Sequence, residues 1–398
     1  RIDPVARTVA GSATHTLERL GRSHDHVRLH QEALDITGAT VDGAPAELTV
    51  GDGWVDVRLP PGERHVVRLD YTATPAKGLY FRGPAWDDGY TEVYSQGEDE
   101  DNRWWFPTWD HPSDTFTVTT HVTVPRGLEA RGLGPLTSRE DRPDGFTRWS
   151  FEMGQPVVSY LVTVTAGAYD VLELDGPLPI EVLVPPGSDP ARVRASMAPV
   201  AAQVRVFTER FGPLPYPLLR FVFVQRYMWG GMENPTLTLL AHNILAEHDD
   251  PLNLRHSEDV LAHEVAHHWF GDLVTCHGWN PWWLNEGFAR FYENEWAAIA
   301  HGAEAGAVSW DPTFTHAAGQ ARALEPDAAS REKPVATWMG SYDKGAAVLQ
   351  GLRVMLGADV FDAGVRLYVD RHRLGLVEGE DLRRAFEDAS GRPLRWYF

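Results

Sequence analysis

Up to about residue 170, apolar and polar positions alternate in short runs: Trp54-Val55-Asp56-Val57-Arg58-Leu59, Phe116-Thr117-Val118-Thr119, Trp149-Ser150-Phe151 and Tyr160-Leu161-Val162-Thr163-Val164. A period of two sends every second side chain to one face, the signature of a half-buried strand. Turn clusters at Gly51-Asp52-Gly53, Pro60-Pro61-Gly62 and Pro143-Asp144-Gly145 separate the runs. Many short strands between such turns predict antiparallel sheet, folded as a sandwich or saddle.

The period changes after Pro185-Pro186-Gly187. Ser188 or Asp189 can cap a helix, and Pro190 suits its first turn. Val193, Met197, Val200, Val204, Phe207 and Phe211 then recur at three- and four-residue steps, which predicts one amphipathic helix stopped by Gly212-Pro213. A continuous apolar run from Leu218 to Gln225 reads as a buried strand, and helical periods follow over 257–270, 281–300, 344–356 and 360–371. The expected fold class is α+β and multidomain. A β domain over 1–172 precedes an α-rich domain over 173–398.

Composition narrows the function. Against 36 Lys and Arg stand 56 Asp and Glu, a net charge of −20, which argues against a nucleic-acid partner. No apolar run approaches the roughly 20 residues of a membrane span. One cysteine, Cys276, excludes an internal disulfide and any multi-cysteine metal site. That single thiol suits a cytoplasmic chain first, and also one secreted after loss of a leader.

The chemistry concentrates in His263-Glu264-Val265-Ala266-His267. Residues four apart on a helix share a face, so both imidazoles can grip one Zn²⁺ while Glu264 reaches a water beside it. The alternative is a pair of surface histidines on a polar helix. The continuation His268-Trp269-Phe270-Gly271-Asp272 is too aromatic for that. A catalytic zinc wants a third protein ligand. The class that takes a third His from H-E-x-x-H-x-x-G-x-x-H is excluded, because Phe270 and Leu273 occupy those places. Glu286 remains, 19 positions after His267 on a new helix that Asn280-Pro281 should open. Glu293 lies seven residues on, along the same face. It reads equally as the partner that orients a ligand His and as a solvated surface Glu.

With these residues in place, the chain resembles the gluzincin zinc aminopeptidases, the family of aminopeptidase N and the leukotriene hydrolase. Four segments carry the resemblance. They are Gly230-Gly231-Met232-Glu233-Asn234, the His263-Glu264-His267 set with Glu286, Tyr342 in Tyr342-Asp343-Lys344-Gly345, and Ser95-Gln96-Gly97-Glu98 followed by Arg103-Trp104-Trp105-Phe106-Pro107-Thr108-Trp109-Asp110. The resemblance implies a thermolysin-like catalytic domain and one zinc per chain on His263, His267 and Glu286. It implies Glu264 as general base and Tyr342 as the donor to the oxyanion. Gly230, Gly231, Met232 and Glu233 would form the exopeptidase motif, in which Glu233 binds the free amine of a peptide. Glu98 would be a second carboxylate for that amine, and Gln96 would line the pocket for the first side chain. Locally, however, Tyr342 reads as an ordinary helix-start residue and Glu98 as part of a solvated acidic loop. Asp110, Asn285 and Cys276 read as structural.

The implied activity is removal of residues from the amino end of peptides. A thermolysin-like endopeptidase, an epoxide hydrolase side activity and a non-catalytic scaffold are the alternatives. Members of the family usually continue into a helical carboxy-terminal domain. This sequence stops at Trp396-Tyr397-Phe398, so the expectation is a short form without that domain, or a chain missing residues at both ends. Preferred residue and oligomeric state have no signature in the sequence.

Overall fold

The computed structural model describes residues 1–20, 25–82, 90–245, 251–321, 323–325 and 340–398, without the side chains of 251–253. Its contacts divide the chain into two units. Arg1–Gly154 with Val158–Tyr169 forms the first, and Gln155–Val157 with Asp170–Phe398 the second. The first carries sheets and two short 3-10 turns, and the second carries eight helices among the described residues, so the fold class is α+β.

The first unit is built from antiparallel ladders. Arg64–Ala73 pairs with Thr8–Glu18 on one side and with Asp35–Val41 on the other. Trp54–Arg58 lies between His26–His30 and Leu48–Gly51. Glu92–Ser95 lies between Leu79–Arg82 and Val164–Gly167. Arg64–Ala73 alternates strictly, with His65, Val67, Leu69, Tyr71 and Ala73 buried. Val67 and Leu69 join Leu29, Val41, Val55 and Val57 in one core cluster, while Tyr71 and Ala73 pack into a second. That second cluster also gathers Val93, Trp105, Val122, Val124, Trp149 and Phe151.

One strand expectation fails here. Ser159–Leu161 is a 3-10 turn, and the strand starts only at Val164. The cause is a buried side chain. Asn102 Nδ2 donates to the carbonyls of Ser159 (2.6 Å) and Val162 (3.1 Å), which takes both out of any ladder. The apolar spacing of Tyr160, Leu161 and Val162 reports burial, not strand.

The second unit starts with a five-stranded sheet ordered Asp170–Leu174, Ile180–Val184, Leu219–Val224, Thr238–Ala241 and Gly231–Met232. Ile180–Val184, Leu219–Val224 and Thr238–Ala241 run parallel, and Gly231–Met232 closes the edge antiparallel to Thr238–Ala241. Leu219–Val224 is buried at every position, as a central strand covered on both faces must be.

The single helix expected over Val193–Phe211 is two: α1 (Pro190–Met197) and α2 (Val200–Phe211). Pro199 separates them, because it has no N–H to continue the ladder. Asp189 caps α1, its side chain accepting from the Ala191 N–H at 2.9 Å. The helices that follow are α3 (Pro251–His267), α4 (Trp283–His301), α5 (Ala303–Ala318), α6 (Gly340–Leu356), α7 (Ala358–His372) and α8 (Gly379–Ser390). The expected opening of α4 at Asn280-Pro281 is also corrected. Trp282 is the N-cap, and a tight turn from the Pro281 carbonyl to the Leu284 N–H (2.9 Å) leads into the helix.

Rings fill the space between α2, α4 and the end of α3. Phe270 stacks on Phe288 with centroids 4.2 Å apart and planes 7° apart, and Phe211 meets Trp269 and Tyr292 edge-on. The Trp269 indole donates to the Gly212 carbonyl at 2.9 Å. Each such ring pair adds about 0.5–1.5 kcal/mol beyond its buried area. The helix carrying the two histidines is thus anchored to the helix carrying Glu286.

Candidate functional site

α3 puts His263 and His267 one turn apart on one face, and Glu286 enters from the first turn of α4. His263 Nε2 and His267 Nε2 are 3.0 Å apart, and each lies 3.3 Å from Glu286 Oε2. All three residues are buried, and among the described residues they are the one group of three or more such side chains arranged to hold a metal ion.

The back of each ring fixes what its front can do. His267 Nδ1 lies 2.9 Å from the Phe270 carbonyl, which can only accept, so Nδ1 carries the proton. His263 Nδ1 lies 3.0 Å from Glu293 Oε2, again an acceptor. Both Nε2 lone pairs are therefore left to converge with a carboxylate oxygen. Four-coordinate zinc with bonds of about 2.0–2.1 Å sets its ligand atoms about 3.3 Å apart. Charge agrees with spacing. Glu233, Glu264 and Glu286 are 3%, 5% and 3% exposed, so three carboxylates are buried around two imidazoles. Such an excess calls for a cation. The Glu286 oxygen facing both rings has no hydrogen-bond partner among the described residues. The residues present fit a metal.

The electrostatics follow the same geometry. Burial pushes the Glu264 carboxyl up to about 7, against the pull of His263 and His267. Burial would raise Glu286 too. The two imidazoles beside it, His267 first, outweigh burial and hold Glu286 down at about 2. Glu233 is raised, chiefly by burial.

Glycines bring the other elements close. At Gly231, on the edge strand, a Cβ would stand 2.2 Å from Glu264 Oε1 and 2.4 Å from its Cδ. Only a residue without a side chain lets that strand lie on Glu264. Glu264 Oε2 has no hydrogen-bond partner among the described residues. At Gly287 a Cβ would stand 2.9 Å from Gly345 Cα, so α4 and α6 cross backbone on backbone. That crossing is one residue after Glu286 and three after Tyr342. The Tyr342 ring lies nearly parallel to the His263 ring, with centroids 5.8 Å apart, and Trp282 meets it edge-on at 5.6 Å.

Other predicted residues fall as follows. Glu233 Oε1 is 3.9 Å from His267 Nδ1, has no hydrogen-bond partner among the described residues, and faces the space beside Gly271. Gly230 is exposed and its carbonyl accepts from the Ala241 N–H at 2.9 Å, while Met232 is buried. Within the first unit, Gln96 is buried and its N–H donates to the Gly78 carbonyl at 2.9 Å. Glu98 is half-buried next to Gly97, where a Cβ would meet the Tyr160 carbonyl and Asn102 Nδ2, both at 2.5 Å. The acidic run after it is only partly a solvated loop, because Glu100 is 9% exposed and holds Arg103 at 2.5 Å. Asp110 is fully buried under Arg103 and Ser159. Asn285 Oδ1 accepts from the Cys276 N–H at 3.2 Å and ties the strand before α4 to the turn that holds Glu286.

Sequence reasoning missed two features. Arg290 pairs with Glu293 and lies 3.5 Å from Asp343. Its signal was present, since Glu286, Arg290 and Glu293 fall at i, i+4 and i+7 on one stripe of α4. The Gly287–Gly345 crossing had no comparable signal, as nothing in sequence pairs two glycines 58 positions apart.

Comparison with known proteins points to one family. The Peptidase family M1 domain matches residues 196–398. Aminopeptidase M1-A of Oryza sativa subsp. japonica is 27% identical over 395 residues, covering 90% of this chain and 43% of that protein. Leucyl aminopeptidase of Saccharolobus solfataricus is 26% identical, covering 92% of this chain and 48% of that protein. Aminopeptidase N of Streptomyces lividans is 29% identical, covering 85% and 40%. The chain spans less than half the length of each.

Proposed function

The chain belongs to peptidase family M1, and from that premise we propose that it is a zinc-dependent aminopeptidase, cleaving the first peptide bond of substrates with a free amino terminus. The observation that carries this reading is the convergence of His263 Nε2, His267 Nε2 and Glu286 Oε2 at 3.0–3.3 Å, with Glu264 beside them. His263, His267 and Glu286 would hold the ion. When bound, it supplies a Lewis acid that acidifies water and polarises the scissile carbonyl.

The rest is work for side chains. Glu264 accepts the proton of the attacking water and returns it to the leaving amine. Its unpartnered Oε2 is the atom suited to both transfers. The Tyr342 hydroxyl donates to the oxygen that gains charge in the transition state. Glu233, buried with one oxygen unpartnered, takes the substrate ammonium. A carboxylate set at a fixed distance from the metal admits only the first peptide bond to it. Gly230, Gly231 and Met232 supply a strand edge along which an extended peptide can lie. Glu98 and Gln96 are assigned from the resemblance alone, as the second carboxylate for the amine and as part of the pocket for the first side chain.

The test is a panel of aminoacyl anilides beside their amino-acetylated forms, with and without a chelator. The expected result is cleavage of the free-amine forms only, lost with chelator and restored by zinc. Equal cleavage of the blocked forms would overturn the exopeptidase reading and leave the metal centre standing.

A further inference from the structure

His263 takes its orientation from Glu293, and Glu293 needs an orienting group of its own. The Glu293 side chain is 12% exposed and lies at the edge of a cavity of about 900 Å³ that Arg290, His316 and Asp343 also line. Its other oxygen is held by Arg290 Nη1, from one turn back on the same helix. The guanidinium faces a second carboxylate as well, an ion pair with Nε 3.5 Å from Asp343 Oδ1 in which Nε makes no hydrogen bond among the described residues. Asp343 is 3% exposed, adjoins Tyr342 in the first turn of α6, and its second oxygen meets His316 Nδ1 of α5 at 3.1 Å. A planar fork of five donors can serve two carboxylates at once, and an ammonium cannot hold them in the same geometry.

We propose that Arg290 is a positioning residue that ties the metal-binding face of His263, through Glu293, to the start of α6 that carries Tyr342, through Asp343. The inference rests on the metallopeptidase reading and adds to it. Ligand geometry and oxyanion donor then depend on one side chain that touches neither substrate nor metal. It predicts a fault of two parts when Arg290 is changed. Metal binding weakens because His263 loses its fixed tautomer and angle, and turnover falls because Tyr342 loses its fixed place. Substrate affinity is spared, since Glu233 lies on a separate element.

The experiment uses the full chain and its Arg290→Lys and Arg290→Met variants. Zn²⁺ affinity is measured by chelator competition, the Co²⁺-loaded form by absorption, and anilide hydrolysis by kcat and KM separately. Arg290→Lys keeps the buried charge and so keeps the fold. It is expected to bind Zn²⁺ about tenfold more weakly, to shift the Co²⁺ absorption, and to lower kcat with KM unchanged. Arg290→Met should do the same more strongly. Where Arg290→Met fails to fold, Arg290→Lys decides. Parent-like affinity, spectrum and kcat in Arg290→Lys would overturn the proposal while leaving the peptidase reading intact. A parent chain that takes up metal but cleaves nothing overturns the peptidase reading alone, and affinity and spectrum still decide Arg290. A parent that takes up no metal overturns both.

Discussion

His263 and His267 present the same atom to one point, but unlike regions hold them there. Behind His267 is the carbonyl of Phe270, main chain in a turn packed on rings. Behind His263 is the carboxylate of Glu293, held in turn by Arg290 beside an open cavity. A carbonyl survives any substitution at its own residue, and a carboxylate does not. One imidazole is therefore oriented by the backbone, while the other depends on a chain of side chains. The His267 side should be robust to mutation and the His263 side tunable.

Loss of either imidazole should cost the most. His263→Ala and His267→Ala each remove a proposed metal ligand and should lower activity at least about 10³-fold, corresponding to several kcal/mol of lost charge stabilisation. Metal content per chain checks the cause. A centre in which one of the two were dispensable would show it here.

Next comes Gly231→Ala, which disturbs Glu264 and neither histidine. The new methyl would stand 2.2 Å from Glu264 Oε1, so the carboxylate must move. A misplacement near 1 Å costs about 10²-fold. The expected outcome is a kcat loss of that order with metal affinity unchanged, read by steady-state kinetics beside a chelator titration.

The sharpest version of the contrast pairs Glu293→Gln with Phe270→Leu. Glu293→Gln should weaken Zn²⁺ binding about 10–100-fold, since an amide replaces the charge behind His263. Phe270→Leu keeps the carbonyl behind His267. It should leave metal affinity within twofold and cost about 2–4 kcal/mol of stability through the lost ring contacts and the space left behind, measured by urea unfolding. Equal losses of affinity in the two would erase the distinction between the two supports.

How much of this was legible in sequence divides along physical lines. The β unit declared itself wherever one face meets a core and the other meets water, as in Arg64–Ala73. It misled at Tyr160–Val162, where a side chain reaching from Asn102 sets the backbone. The two-helix break at Pro199 was written in the chain but masked by an apolar period that continues across it. At the candidate site, i, i+4 spacing and the following helix named the three residues that the fold gathers within 4.8 Å. The pattern is helical and local, so sequence carries it. The strand laid on Glu264 at Gly231 and the crossing of Gly287 on Gly345 are contacts at long separation. No periodicity encodes them. Arg290 stood between the two cases, on a readable stripe but with Asp343 as a partner that only the fold supplies.

In the proposed function, one zinc on His263, His267 and Glu286 makes this chain an aminopeptidase. The most direct measurement strips the metal with a chelator and returns Zn²⁺ in small steps, following release from a free-amine anilide. No activity is expected in the stripped protein, then a linear rise that levels at one equivalent of zinc per chain. Activity that persists in the metal-free protein, or that zinc fails to restore, would contradict it.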